Sequence, residues 1–282
     1  MATEQERFEA LFYQLDAWCS SQENYQYAMA HMTEMEELEQ IQTIYSQEEI
    51  RRAVQMVYLK GFHHTDAMTP DVIAMFAGYL VQQLLKPYDK VLDPAMGTGN
   101  LLAACLNQAT LENVEWLGAE EDHALLGYGK TLFTMLDKPI QLFEGKMQQI
   151  SLPPVNLIVT ELPPQLERAE ERIMQAWNHI TADGKMLCIM PKSFLQSTLF
   201  QRLKAEGGHL LMNLALPSSL NQGECTYIFA LFSKGERVED DASLQIELPS
   251  FQEREKLEKA IKLINYWLQS RLQHSINNRI KN

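Results

Sequence analysis

The stretch VLDPAMGTGNLL, residues 91–102, decides the fold. Val91 and Leu92 belong to a short apolar run that Asp93 ends. Two glycines, Gly97 and Gly99, then break the chain, and Asn100, Leu101 and Leu102 open a helical pattern. In an open α/β sheet, ligands lie outside the carboxyl ends of the strands, which is where such a turn falls. Glycines remove side chains where a ligand must approach the backbone, and they permit positive φ. Free amides at the start of the following helix complete a polar bed.

The residues narrow the ligand. The dinucleotide fingerprint needs a third glycine, and here Asn100 to Leu102 follow instead. Asp93 makes the mouth acidic, which repels a pyrophosphate and suits an amine. Glu120, with Glu121 beside it, ends a second strand about 20 residues after the turn, where a carboxylate can hold two ribose hydroxyls. A bed with an amine acceptor, a ribose acceptor and no phosphate-binding lysine fits S-adenosylmethionine better than NAD or ATP. An NAD-dependent enzyme is the reading this argues against.

Outward from the turn, the chain alternates short apolar runs with helical patterns. Strands are expected at 90–93, 114–120, 140–145, 155–162, 184–191, 208–217 and 225–235, with helices between most of them. This is an α/β pattern: a Rossmann-like, seven-stranded, mostly parallel sheet covered on both faces. The last two strands are joined only by a loop, so they are expected as an antiparallel hairpin at a sheet edge. Before the sheet the chain lacks strand-like runs. Phe8, Leu11, Phe12 and Leu15 share one helical stripe, and Ser46 with Glu49 fits a capping box. The expected organisation is a helical N-terminal domain over 1–62, a ligand-binding domain over 63–240 and a helical extension over 241–282, with one amphipathic helix at 251–273.

Composition bounds the function. The 282 residues are 46% hydrophobic, enough for a real core, and carry a formal net charge of −13. Strong acidity argues against stand-alone duplex binding, which relies on phosphate neutralisation. Lys and Arg after residue 235 are mixed with Glu, as on a solvated helix face. Cys19, Cys105, Cys188 and Cys225 form no CxxC pair and sit in apolar contexts, so buried reduced thiols are expected. No metal spacing is present, since adjacent His63 and His64 cannot share a helix face. The polar, acidic start and the brevity of the longest apolar run, residues 72–81, predict a cytoplasmic protein without a membrane span.

DPAMGTGNLL (93–102) resembles the cofactor loop of class I S-adenosylmethionine-dependent methyltransferases, in the branch related to adenine-specific N6 DNA methyltransferases. HTDAMTPDVIAMFAGYLV (64–81) is similar to the motif before that loop, where Thr-Pro opens a helix covering the methionine end of the cofactor; here these are Thr69 and Pro70. The resemblance implies that Thr69, Pro70, Asp93, Pro94, Ala95, Met96, Gly97, Gly99, Asn100, Glu120 and Glu121 bind S-adenosylmethionine or its demethylated product. It further implies Glu144, near the third strand's end, for the adenine amine.

It also implies a catalytic site at the end of the fourth strand, where the family carries Asn/Asp-Pro-Pro-aromatic. Acceptor groups there take hydrogens from an exocyclic amine, and the aromatic ring stacks on a flipped base. This chain has Glu161, Leu162, Pro163 and Pro164. Glu161 keeps an acceptor one methylene longer. Pro164 removes the stacking ring, worth about 1–3 kcal/mol per base, and Phe194 is the nearby aromatic that could replace it. The reading is therefore an N-directed methyltransferase with a degenerate acceptor motif. Nucleic acid, protein or a small molecule would be its acceptor. The alternative is a non-catalytic relative acting as a cofactor-binding or protein-interaction module through its helical N-terminus.

Overall fold

The structure is a computed structural model that describes residues 3–62, 68–220, 225–235 and 243–280, with side chains described as far as residue 271. His63, His64 and the start of the stretch 64–81 lie outside the described residues. The chain divides into two compact units, Met1–Val155 and Asn156–Asn282.

The first unit opens with helices. Helix α1 (Glu4–Ser21) starts at a capping box in which Thr3 accepts from the Glu6 amide and Glu6 reaches back to the cap. Its buried stripe is Phe8, Leu11, Leu15 and Cys19. Phe12 is only half-buried. Helices α2 (Tyr25–Ala30) and α3 (Leu38–Ile44) follow. Helix α4 (Gln47–Gly61) begins at the capping box of Ser46 and Glu49. Arg7, bonded to Glu49 at 2.7 Å, holds that carboxyl well below its ordinary value, at about 2, and so ties α1 to the start of α4.

Helix α5 (Asp71–Leu84) leads into a βα repeat: β1 (Lys90–Asp93), α6 (Asn100–Gln108), β2 (Glu115–Glu120), α7 (His123–Met135) and β3 (Gln141–Glu144). These strands lie in the order β3-β2-β1 and pair in parallel, with Asp93 opposite Gly118 and Glu120 opposite Glu144. Parallel pairing brings the three carboxyl ends to one side, which is what places their terminal acids together.

Strand β4 (Val155–Glu161) starts at the boundary, and the second unit holds the rest of it with α8 (Leu166–Asn178), β5 (Ile180–Pro191), α9 (Thr198–Ala205), β6 (His209–Ala215), β7 (Tyr227–Ser233), β8 (Leu244–Glu247) and α10 (Arg254–Ile280). Strand β7 pairs antiparallel with both β5 and β6, so the last two expected strands do pair antiparallel. They are not the edge, however. Strand β8 adds in parallel outside β6, from Met212↔Leu244 to Ala215↔Glu247. The described strands number eight, not the seven expected, and the stretch after 241 is not purely helical. The extra strand alternates cleanly, Leu-Gln-Ile-Glu being half-buried and exposed in turn, but four residues are the shortest run that such a pattern can mark. The core is all apolar along β7, where every residue from Tyr227 to Phe232 is buried.

Cys19, Cys105 and Cys188 are buried free thiols and Cys225 is half-buried. Burial pushes Cys19 up to about 12 and raises Cys105 and Cys188 further, so these thiols stay protonated and inert. No helix among the described residues is long and apolar enough to cross a membrane.

Candidate cofactor site

The turn between β1 and α6 is held by the backbone as the glycines require. Gly97 has φ +56° and Gly99 has φ +84°, both in the left-handed region. The Met96 amide donates to the Ala119 carbonyl (3.0 Å), which stitches the turn to β2, and the Gly99 amide closes back on the Met96 carbonyl (2.8 Å). Gly99 then serves as the N-cap of α6. A Cβ on Gly99 would lie 2.9 Å from the Phe133 ring of α7, so the missing side chain there makes room for packing. Met96 also faces protein: a Cβ on Gly118 or Gly129 would strike its side chain at 2.6 and 2.4 Å.

Two carboxylates flank the turn. Asp93, 1% exposed, caps the Ala95 amide at 3.1 Å. Glu120, 6% exposed, accepts from the Gly97 amide at 2.8 Å with one oxygen and from the Asp122 amide at 3.0 Å with the other. A carboxylate offers about four lone-pair sites, so two amides leave Glu120 capacity for two further donors. Pro94 is buried, and Ala95 is half-buried between the two acids in sequence. Glu121 is exposed, and Glu144 is bonded to His123 Nδ1 at 2.8 Å on the surface.

Helix α4, which carries no ligand signature in the sequence, holds much of the turn. Arg51, fully buried, donates to Asn100 Oδ1, to Glu48 and to Asp71 at the start of α5. Asn100 Nδ2 in turn donates to the Thr69 carbonyl at 2.7 Å. The side chain of Asn100, expected to touch a cofactor, is therefore engaged on both ends with the protein. Thr69 is buried and Pro70 is the exposed N-cap of α5. Burial alone would lower the Arg51 pKa, but Glu48 and Asp71 outweigh it and raise it, so the guanidinium stays charged. One turn of helix further on, Gln55 accepts from the Thr98 hydroxyl at 3.3 Å. Its Nε2 is buried without a partner. The available signal was a pair of polar residues four apart, Arg51 and Gln55, on the face that also carries Ile50, Val54 and Tyr58.

The expected catalytic residues lie in the second unit. Glu161, half-buried, ends β4. Leu162 is 2% exposed, and its amide donates to the Ile189 carbonyl at 2.8 Å. Pro163 is half-buried and Pro164 exposed. Phe194 is buried in an apolar cluster with Leu162, Ile173, Met190 and Leu199, so its ring offers no open stacking face. Among the described residues no group of three His, Cys, Asp or Glu side chains could hold a metal ion.

Comparison with known proteins bears on the fold. No protein-family model matches the chain. The uncharacterized protein YtxK of Bacillus subtilis is 30% identical over 205 residues. The aligned part spans 62% of this chain and 62% of that protein, under two thirds of its length. A Listeria monocytogenes structure described as a candidate class I S-adenosylmethionine-dependent methyltransferase superposes with a TM-score of 0.79 at 20% identity, covering 94% of this chain and 99% of that one. A type I restriction-modification methyltransferase subunit from Streptococcus thermophilus superposes with a TM-score of 0.56 at 14% identity, over 70% of this chain and 51% of that one. The chain has the class I S-adenosylmethionine-dependent methyltransferase fold.

Proposed function

We propose that this protein binds S-adenosylmethionine, or its demethylated product, in the turn between β1 and α6, and that it is a methyltransferase directed at a nitrogen acceptor. One observation carries the reading: two buried carboxylates, Asp93 and Glu120, end adjacent parallel strands on either side of a glycine turn with positive φ. Buried carboxylates without a nearby pyrophosphate-binding lysine select a ligand with an amine and hydroxyls. Asp93 would take the amine. Glu120, already aligned by two amides, would take the ribose diol, with Gly97 giving the ligand bare backbone. Glu121 and Glu144 stand at the adenine end on the family analogy alone, and Glu144 would have to leave His123 to serve there.

When bound, the sulfonium supplies an activated methyl group. The chain's own contribution on the acceptor side is Glu161, a carboxylate that can accept the hydrogen of an N–H nucleophile. An adenine of DNA is one such nucleophile, and the likeness to a restriction-modification methyltransferase subunit favours it. The second reading, a non-catalytic cofactor-binding or interaction module in a cytoplasmic setting, is favoured by a different observation: Leu162 is spent on packing and Pro164 has no aromatic ring to stack.

Calorimetry with S-adenosylmethionine, S-adenosylhomocysteine and NAD tests the cofactor. Binding of the first two, reduced about 10- to 100-fold in Asp93→Ala by loss of a charged hydrogen-bond partner, is the expected outcome. A preference for NAD sinks the reading. Transfer of a labelled methyl group to a component of cell extract then separates an active enzyme from the silent module.

A further inference from the structure

Helix α4 grips both segments of the proposed cradle from one side. Its Arg51 guanidinium joins Asp71 at the head of α5 to Asn100 at the head of α6, and Asn100 joins the Thr69 carbonyl. Gln55, on the same face, holds Thr98 between the two glycines. The segments 69–71 and 97–100 are far apart in sequence, and their side-chain link runs through Asn100 and this arginine. A fully buried guanidinium is a poor choice for stability alone, since packed apolar residues often do as well, whereas its fixed fork is well suited to setting register.

We propose that the Arg51–Gln55 edge of α4 is part of the cofactor-binding machinery, with Arg51 as the positioning residue that fixes the Thr69–Asp71 segment against the Gly97–Asn100 turn. The inference deepens the cofactor reading and rests on it for the ligand, though not for the geometry. On this view the N-terminal helices are no separate appendage. Loss of the Arg51 fork or of the Gln55 bond loosens Asn100 or Thr98, and the Gly97 amide that Glu120 caps moves with them. Affinity for the sulfonium nucleoside is then decided partly by a helix that does not touch it.

Arg51→Lys keeps the charge and loses the fork. Tyr58→Phe is the control, removing another buried anchor of α4, the hydroxyl bond to the Tyr128 carbonyl on α7, away from the cradle. Melting temperature, amide hydrogen exchange without ligand, and S-adenosylhomocysteine affinity are measured on all three chains. Arg51→Lys is expected to speed exchange at residues 97–101 and to weaken binding about 10- to 100-fold, as small misplacements in a positioned site do. Tyr58→Phe is expected to lower the melting temperature and leave both unchanged. Exchange and affinity that follow melting temperature alike in the two variants overturn the proposal. If Arg51→Lys does not fold, Gln55→Met replaces it, and unchanged exchange at Thr98–Asn100 overturns the proposal equally. Faster exchange in a chain whose wild type binds neither the nucleoside nor its product supports the positioning role and removes the cofactor reading.

Discussion

The turn after β1 and the segment after β4 both leave a strand tip, yet they are built on opposite principles. In the first, nearly every polar group is aimed. Glycines take left-handed φ, amides meet Glu120, Asp122 continues the cap, and Arg51 and Gln55 hold the turn from behind. In the second, Leu162 plugs an apolar cluster, and Pro163 and Pro164 stiffen the exit while contributing no N–H donor. On the proposed reading the first is organised for a ligand. The second is organised for packing, with Glu161 as its one retained acidic side chain. The contrast teaches that two strand tips in one chain can spend their residues differently, one on aimed polar groups and the other on apolar packing.

The contrast breaks most easily at Leu162. If that residue is core, Leu162→Ala removes a buried side chain and costs about 2–5 kcal/mol of stability, read as a lower midpoint in chemical denaturation. Cofactor affinity, measured well below the transition, is expected to stay within twofold. A small stability loss combined with lost turnover would return Leu162 to the catalytic set. Gly99→Ala comes next, on the other side of the contrast. A Cβ in left-handed backbone, pressed 2.9 Å from Phe133, is expected to cost about 1–3 kcal/mol. Phe133→Leu in the same chain should recover the contact part and leave the φ part. Full recovery would mean that the turn does not need its left-handed geometry.

Much of this was legible in the sequence, and the reasons are local. Ser46 with Glu49 announces the start of α4, and Asp93, Gly97, Gly99 and Glu120 announce two strand tips with a bare turn, because each is a short-range requirement. What stayed hidden depends on partners distant in the chain. The placement of β7 between β5 and β6 leaves no local signature. Strand β8 is four residues long and half exposed. Arg51 reads as an ordinary helical arginine until α5 and α6 bring Asp71 and Asn100 to it. Asn100 reads as a ligand contact through the resemblance of its loop, and only its two protein bonds reveal how its amide is used.

The smallest structural effect belongs to Glu161, and it decides most about function. Glu161→Gln is nearly isosteric at a half-buried strand end, so stability is expected to change by no more than about 0.5 kcal/mol. The Tyr227 phenol, raised mainly by burial and partly by Cys225 and Glu161, should titrate slightly lower once the charge is gone, which reports that the substitution has reached its neighbours. Affinity for S-adenosylhomocysteine should hold within twofold, because the proposed amine and diol contacts lie with Asp93 and Glu120. Methyl transfer should fall, since a carboxamide accepts a hydrogen bond more weakly and cannot take a proton at neutral pH. Loss of affinity in step with turnover would make Glu161 part of the binding bed instead. Turnover at the wild-type rate would leave the retained carboxylate without a chemical role, and the segment after β4 would then be structural throughout.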